Sequence, residues 1–156
     1  MRIRLITVGR RQPAWITDGF REYARRMTGG CSLELVEIPL GRRTGAASVA
    51  RAVEEEGERM LRAVLPGAHV VALTVGGRPW STAQLAARLQ DWMSMGSDVC
   101  LLVGGPDGLC ATALGRAHGR WSISPLTLPH GLVRLILAEA LYRAWSLNQG
   151  HPYHRP

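Results

Sequence analysis

The sequence predicts an α/β domain: a mostly parallel sheet with helices on both faces. Three observations carry that expectation. Segments of strand and helix periodicity alternate along the chain. Two strand segments, His69 to Val75 and Val99 to Val103, are almost wholly apolar, as strands buried on both faces are. No repeat, low-complexity tract or linker divides the 156 residues, a length that suits a single core, so one domain over 1–156 is expected.

Arg2 to Val8 alternates and stops at Gly9, which reads as a first strand. Trp15, Ile16, Phe20, Tyr23, Ala24 and Met27 recur at helical spacing, so Pro13 to Met27 reads as a helix, with Pro13 suited to its first turn. Leu33 to Ile38 is a second strand closed by Pro39, and Leu40 to Ala47 a Gly/Arg-rich loop. Ser48 to about Leu65 follows as a helix, whose mixture of Arg and Glu suggests a solvated surface, then Pro66-Gly67 breaks the chain. Gly76-Gly77 should end the His69 strand. Ser81 or Thr82 can cap a helix to Met95, which Gly96 stops. After Val99 to Val103 come Gly104-Gly105-Pro106-Asp107-Gly108, a short helix from Leu109 to about His118, and a short strand around Trp121 to Ile123. The last helix runs from about His130 to Leu147, where Glu139 and Arg143 can pair at i, i+4.

The charge is strongly basic, a formal +7 with every basic residue an arginine, and a pI near 10.6. Seven arginines against Asp18 and Glu22 give the first 26 residues a net +5. Such a surface fits a polyanion partner, because the guanidinium donates a parallel pair of hydrogen bonds to phosphate. General solubility is the plainer explanation of the same charge. No apolar run reaches the roughly 18 residues of a membrane span. Arg2 and Arg4 interrupt what a signal peptide would keep apolar. Three cysteines lack metal-finger spacing, so a reduced, cytoplasmic setting is expected, with no metal.

Ligands of open α/β sheets bind beyond the carboxyl ends of the strands. There the two buried strands run into Gly76-Gly77 and Gly104-Gly105, which let a ligand approach the backbone or else simply form tight turns. Neither loop is a dinucleotide or P-loop fingerprint. The segment Ser122-Ile123-Ser124-Pro125-Leu126-Thr127-Leu128-Pro129-His130 is apolar, hydroxyl-bearing and stiffened by two prolines. It would make a rigid wall suited to an adenine or an uncharged cofactor edge, or a rigid connector. His130 is a candidate base or hydrogen-bond donor, though a lone histidine also serves structure. His151 and His154 lack the partners a metal would need, and no Gly-x-Ser-x-Gly elbow marks a hydrolase. The tail from Gly150 to Arg155 carries aromatic and cationic groups of the kind that stack bases and hold phosphates.

Gly104-Gly105-Pro106-Asp107-Gly108, Leu126-Thr127-Leu128-Pro129-His130, Arg134, Glu139, Leu141-Tyr142-Arg143-Ala144-Trp145 and His151-Pro152-Tyr153-His154-Arg155 together closely resemble the ribosomal RNA large-subunit methyltransferase H family of SPOUT (α/β-knot) methyltransferases. The likeness spans the chain, including Val8-Gly9, Glu37-Ile38-Pro39 and Glu56-Gly57-Glu58, and is most specific in the last third. It implies a SPOUT-type α/β knot with a carboxy-terminal trefoil knot and a homodimer. The implied reaction uses S-adenosyl-L-methionine (SAM) to methylate N3 of a pseudouridine in 23S rRNA of assembled ribosomes. By position it implies cofactor contacts at Leu73, Gly104, Gly105, Ile123, Ser124, Pro125, Leu126, Thr127 and Leu128. His130 and Arg155 would be the catalytic pair, His130 taking the N3 proton and Arg155 holding a phosphate or the deprotonated imide. Arg10, Arg11, Arg25, Arg26, Tyr153 and His154 would grip RNA, with one subunit's tail closing the other's site. Arg42-Arg43 where many members have lysine, Asp107, and an added Pro156 are mild departures. A non-catalytic ribosome-binding factor and a SPOUT enzyme acting on tRNA are the competing readings. A Rossmann-like enzyme is weakened by the missing fingerprint.

Overall fold

A computed structural model describes residues 1–155; Pro156, the added terminal residue, lies outside the described residues. Five parallel strands form one sheet in the order β2-β1-β4-β3-β5: β1 (Arg2–Val8), β2 (Ser32–Ile38), β3 (His69–Pro79), β4 (Val99–Val103) and β5 (Gly119–Ser122). The helices between and after them are α1 (Ala14–Arg26), α2 (Ala46–Arg62), α3 (Thr82–Met95), α4 (Ala111–Arg116) and α5 (His130–Asn148). The expected alternation and mostly parallel sheet are therefore present.

Strand side chains point to alternate faces, and the core divides accordingly. Ile3, Leu5, Val71, Leu101 and Val103 pack with Phe20 of α1, Leu85 and Leu89 of α3, and Leu137 and Leu141 of α5. Ile6, Val8, Val70, Cys100 and Leu102 pack with Met60 of α2 and Ala113 of α4 on the other face. All five residues of β4 are buried, which is why its sequence is uniformly apolar. Ser81 and Gln84 form a capping box at the start of α3, and Gly96 closes it at φ 68°. The three cysteines are buried and unpaired, and burial pushes the Cys31 thiol up to about 11.

Several boundaries differ from expectation: α2 ends at Arg62 rather than near Leu65, β5 spans Gly119–Ser122 rather than Trp121 to Ile123, and three further differences have a local cause. The helix expected from Ser48 starts at Ala46, inside the expected loop, and α4 is shorter than Leu109 to His118, because Cys110 caps it by accepting from the Ala113 amide. β3 does not stop at Gly76-Gly77 but continues to Pro79, with a register shift between Leu73 and Arg78 against β5. The reason is close approach: a Cβ on Gly77 would stand 2.6 Å from the Trp121 backbone, so the glycines there admit a neighbouring strand. The α2 surface is not uniformly solvated either, since Glu56 is only 2% exposed.

α1 and α5 lie side by side and run the same way. Gln12 and Ile16 meet Gly131, Gly19 meets Leu135, and Tyr23 meets Tyr142, in the same order along both segments. Gly19 makes the approach possible, because a Cβ there would stand 2.7 Å from a Leu135 methyl.

Candidate active site

The carboxyl ends of β3, β4 and β5, with the loop that enters α5, enclose a cavity of about 570 Å³, a size typical of small-molecule sites. Leu73, Thr74 and Trp121 line it from the strand ends. Gly104, Gly105, Pro106 and Gly108 line it from the loop after β4. Ile123, Ser124, Leu126, Thr127 and Leu128 line it from the loop before α5, and His130 completes it. Of the sequence-predicted cofactor residues, only Pro125 is not part of the lining.

Each wall is built locally. The Gly108 amide donates to the Gly105 carbonyl at 3.0 Å and Gly108 takes φ 81°, turning the chain back on itself. A Cβ on Gly104 would meet the Gly108 backbone at 2.5 Å, so no side chain fits inside this turn. The other loop is held by hydroxyls: Ser122 Oγ donates to the Ser124 carbonyl at 3.2 Å, and Ser124 Oγ accepts from the Leu126 amide at 3.0 Å. Among the described residues no backbone–backbone hydrogen bond involves 124–128. Trp121 stacks on Trp80 at 4.8 Å, and the Arg88 guanidinium lies 4.2 Å from the Trp80 ring, which makes a rigid floor.

No Asp, Glu, Lys or Arg is among the described lining residues, and His130 is the titratable group there. Its Nε2 bonds the Val8 carbonyl and stands 3.4 Å from Thr7 Oγ1. A carbonyl only accepts, so Nε2 is the donor in this bond and Nδ1 is the ring nitrogen left over. Arg134, 2% exposed, fixes the same corner by donating to Glu37 Oε2 at 3.0 Å and to the Gly9 carbonyl at 3.3 Å.

The other predicted site residues fall into two groups. Arg10 and Arg11 are exposed on the turn between β1 and α1, with Arg11 at φ 57°. That turn abuts the helix end bearing His130, since Gln12 Oε1 occupies the space a Cβ on Gly131 would need. Trp15, 61% exposed on the first turn of α1, belongs to this group and was not singled out from the sequence. Its closeness in sequence to Arg10 and Arg11 is the signal that could have found it.

Arg25, Arg26, Tyr153, His154 and Arg155 lie at the opposite end. Arg25 and Arg26 both pair with Glu22, and Arg26 also lies over the Tyr23 and Tyr142 rings. The Tyr153 hydroxyl donates to Glu139 Oε1 at 3.1 Å, its ring meets Tyr142 edge-on, and the Arg143 guanidinium lies 4.9 Å from it. Burial, reinforced by Tyr23 and Glu139, raises the Tyr153 phenol and keeps it a donor. The tail thus docks on its own α5, a helix of 19 residues. The tail's contacts at Glu139, Tyr142 and Arg143 fall about 14–20 Å along the helix axis from His130. The 41–43 and 104–108 loops also meet, through Arg43, which donates to Glu56 of α2 and to Asp107, a contact the sequence does not reveal.

Compared with known proteins, residues 1–154 match the family described as "Predicted SPOUT methyltransferase". The chain belongs to the SPOUT methyltransferase family. This SPOUT methyltransferase is 63% identical over 155 residues to a protein of Alkalilimnicola ehrlichii named ribosomal RNA large subunit methyltransferase H, covering 99% of each chain. It is 54% identical to proteins of the same name in Pseudomonas putida and Azotobacter vinelandii, covering 99% of this chain and 100% of those. Among solved structures, a probable methyltransferase from Bordetella pertussis shares the fold at TM-score 0.58 and 22% identity, over 92% of this chain and 96% of that one. A probable methylase family protein from Haemophilus influenzae does so at TM-score 0.54 and 11% identity, over 99% and 70%. Among the described residues, no group of three or more His, Cys, Asp or Glu gathers as a metal site, and no helix is long and apolar enough to cross a membrane.

Proposed function

We propose that the protein is a SAM-dependent methyltransferase of N3 of a pseudouridine in 23S rRNA. In this reading it acts on assembled ribosomes in the cytoplasm, as a homodimer of one-domain chains. The observation that carries the reading is the 570 Å³ cavity, because the segments lining it are those on which the family resemblance is most specific.

The residues present fit SAM. The lining is largely apolar and uncharged, which suits a purine, and among the described residues the 124–128 backbone groups other than the Ser124 carbonyl and the Leu126 amide are left to bond its edge. Among the described residues Thr74 Oγ1 and Trp121 Nε1 are buried without a hydrogen-bond partner, and both belong to lining residues, so the slot holds polar groups that a ligand would satisfy. Leu73, Gly104, Gly105 and residues 123–128 would hold it, with Pro125 stiffening the wall from outside. When bound, SAM supplies a methyl group on a sulfonium, already activated for transfer.

The chain's remaining tasks are alignment and proton removal. Fixing two reactants in attack geometry supplies up to about 7–11 kcal/mol in ideal cases. His130 Nδ1 accepts the N3 proton, a role worth about 10²–10⁴-fold, while the Val8 carbonyl holds the ring in the tautomer that keeps Nδ1 free. Arg155 pairs with a phosphate or with the deprotonated imide. In this reading the Arg155 that serves a given cavity comes from the second copy, because each tail is docked on residues 139–143 of its own α5 rather than beside His130. The half-buried groove between α1 and α5, bordered by Tyr23, Leu132, Leu135 and Ile136, supports that pairing as the surface a second copy covers. Arg10, Arg11 and Trp15 meet the RNA beside His130, and Arg25, Arg26, Tyr153 and His154 meet it on the tail side.

Labelled methyl transfer tests the reading against its rivals. Whole ribosomes lacking the modification should take up label at one uridine-derived position, and tRNA none. Uptake by tRNA alone would redirect the assignment to another SPOUT substrate, and SAM binding without uptake by either would favour a ribosome-binding factor.

A further inference from the structure

α2 carries a buried acid whose position is legible in its helix register. Ala52, Glu56 and Met60 fall at i, i+4, i+8, and all three are buried, so Glu56 occupies a core position among apolar neighbours. A carboxylate there must be paired. Glu56 Oε1 accepts from Arg43 Nη1 at 2.6 Å and from the Gly41 amide at 2.9 Å. Arg43 also returns a bond to the Gly41 carbonyl at 3.1 Å, which ties the 41–43 turn into a closed ring.

The same guanidinium reaches the other way. Arg43 Nε donates to Asp107 Oδ2 at 2.8 Å, and Asp107 is the exposed tip of the turn from Gly104 to Gly108. Glu56 Oε2 lies beneath that turn: a Cβ on Gly105 would stand 3.4 Å from it and 3.0 Å from Val8 Cγ1. Neither Glu56 Oε2 nor Arg43 Nη2 has a partner among the described residues. The buried end of the cluster, at Glu56, is therefore short of partners yet close-packed under the glycine loop. None of its three side chains lines the cavity.

We infer that Glu56, acting through Arg43 and Asp107, is a positioning residue that holds the Gly104–Gly108 turn in its cavity-lining conformation. The inference rests on the reading of that cavity as the SAM site. The brace joins α2, the 41–43 turn and the glycine loop into one unit, so the backbone presented to the ligand is set by a buried ion pair remote from it. Arginine suits the junction because its fork can address two carboxylates at once.

Two variants and two readouts test it. Asp107→Ala removes the exposed end of the brace and leaves the buried pair intact; Glu56→Gln keeps the shape and removes the charge. Amide hydrogen exchange across residues 102–110 should quicken in both, in the absence of any ligand. Calorimetric SAM affinity should weaken roughly 10-fold, the equivalent of one charge-assisted hydrogen bond. KM for SAM should rise with kcat and KM for ribosomes retained. Arg42→Ala, an exposed neighbour, should change neither exchange nor affinity. Unchanged loop exchange in both Asp107→Ala and Glu56→Gln would overturn the brace even if the wild type binds SAM tightly. Faster exchange with no SAM binding by the wild type would instead overturn the reading of the cavity, and with it the proposed role, while leaving the brace as a contact.

Discussion

Nε2 of His130 donates to the carbonyl of Val8, tying the first residue of α5 to the last residue of β1. That bond settles which ring nitrogen is free, and it does so from a strand end rather than from a carboxylate. The proposed base is thus oriented by backbone that the sheet itself holds in place. If Nδ1 takes the N3 proton, His130→Ala should lower the single-turnover rate by about 100-fold or more. Rapid-quench methyl transfer at saturating SAM measures this, and a rate within a few-fold of wild type would remove His130 from the chemistry.

The proposal that the tail of one copy completes the site of the other makes a prediction about pairs of chains. Homodimers of His130→Ala and of Arg155→Ala should each be nearly inactive. Mixing and re-forming the two should restore activity, because one site of each mixed dimer combines an intact His130 with an intact Arg155 from the other chain. Methyl transfer by the mixture staying at the level of its parents would show that each site is completed within one chain.

The turn after β4 tolerates no side chain at Gly104, where a Cβ would stand 2.5 Å from the Gly108 carbonyl carbon. Gly104→Ala must open the turn, since the obstacle is backbone. SAM affinity measured by calorimetry should fall by at least about tenfold, the loss of roughly 1.4 kcal/mol, while the far-ultraviolet circular dichroism spectrum is unchanged.

Electrostatics should govern docking. In the proposed dimer, Arg10 and Arg11 of both chains would place four guanidinium groups beside the two cavities. Four phosphate contacts would weaken binding by about 100-fold between ~50 and ~200 mM salt. Filter binding to ribosomes should show that slope, and Arg10→Ala with Arg11→Ala should flatten it. Trp15→Ala should reduce affinity by a similar factor at every salt concentration, as loss of a stacking contact does, by about 1–3 kcal/mol.

Asp98 fastens the start of β1. It accepts from the Arg2 amide at 2.8 Å and from Arg2 Nη2 at 2.7 Å, and these bonds hold its carboxyl below the ordinary 3.8. A carboxyl lowered in the folded state stabilises above its unfolded value, and that contribution fades as pH falls through the folded one. Asp98→Asn should therefore cost about 0.5–1 kcal/mol at neutral pH, modest because the pair is partly exposed. In urea titrations the gap between the two proteins should close below pH 3.8; a gap that persists there would assign the effect to packing instead.

Much of the fold was legible because its signals are local. β4 is a pure apolar run, α3 has its cap and its stop in sequence, and the two prolines around Leu126-Thr127-Leu128 exclude a strand. The cavity wall could therefore be named before its shape was known. What escaped depends on distant groups. Nothing near Gly76-Gly77 says that the Trp121 backbone lies against it, so β3 read as four residues too short. Glu56 differs from Glu54, Glu55 and Glu58 only in sharing a helix face with Ala52 and Met60, a register hidden within a run of like charges. The splitting of the arginines into a cavity group and a tail group depends on α1 lying parallel to α5, which charge counts do not encode.

The most direct measurement is a crystal structure of the protein with S-adenosylhomocysteine, the demethylated form of SAM. The account predicts the adenine against the 123–128 loop, inside the cavity capped by Gly104 and Gly105, with His130 at its rim. Ordered ligand elsewhere on the molecule, with that cavity still empty at saturating concentration, would contradict it.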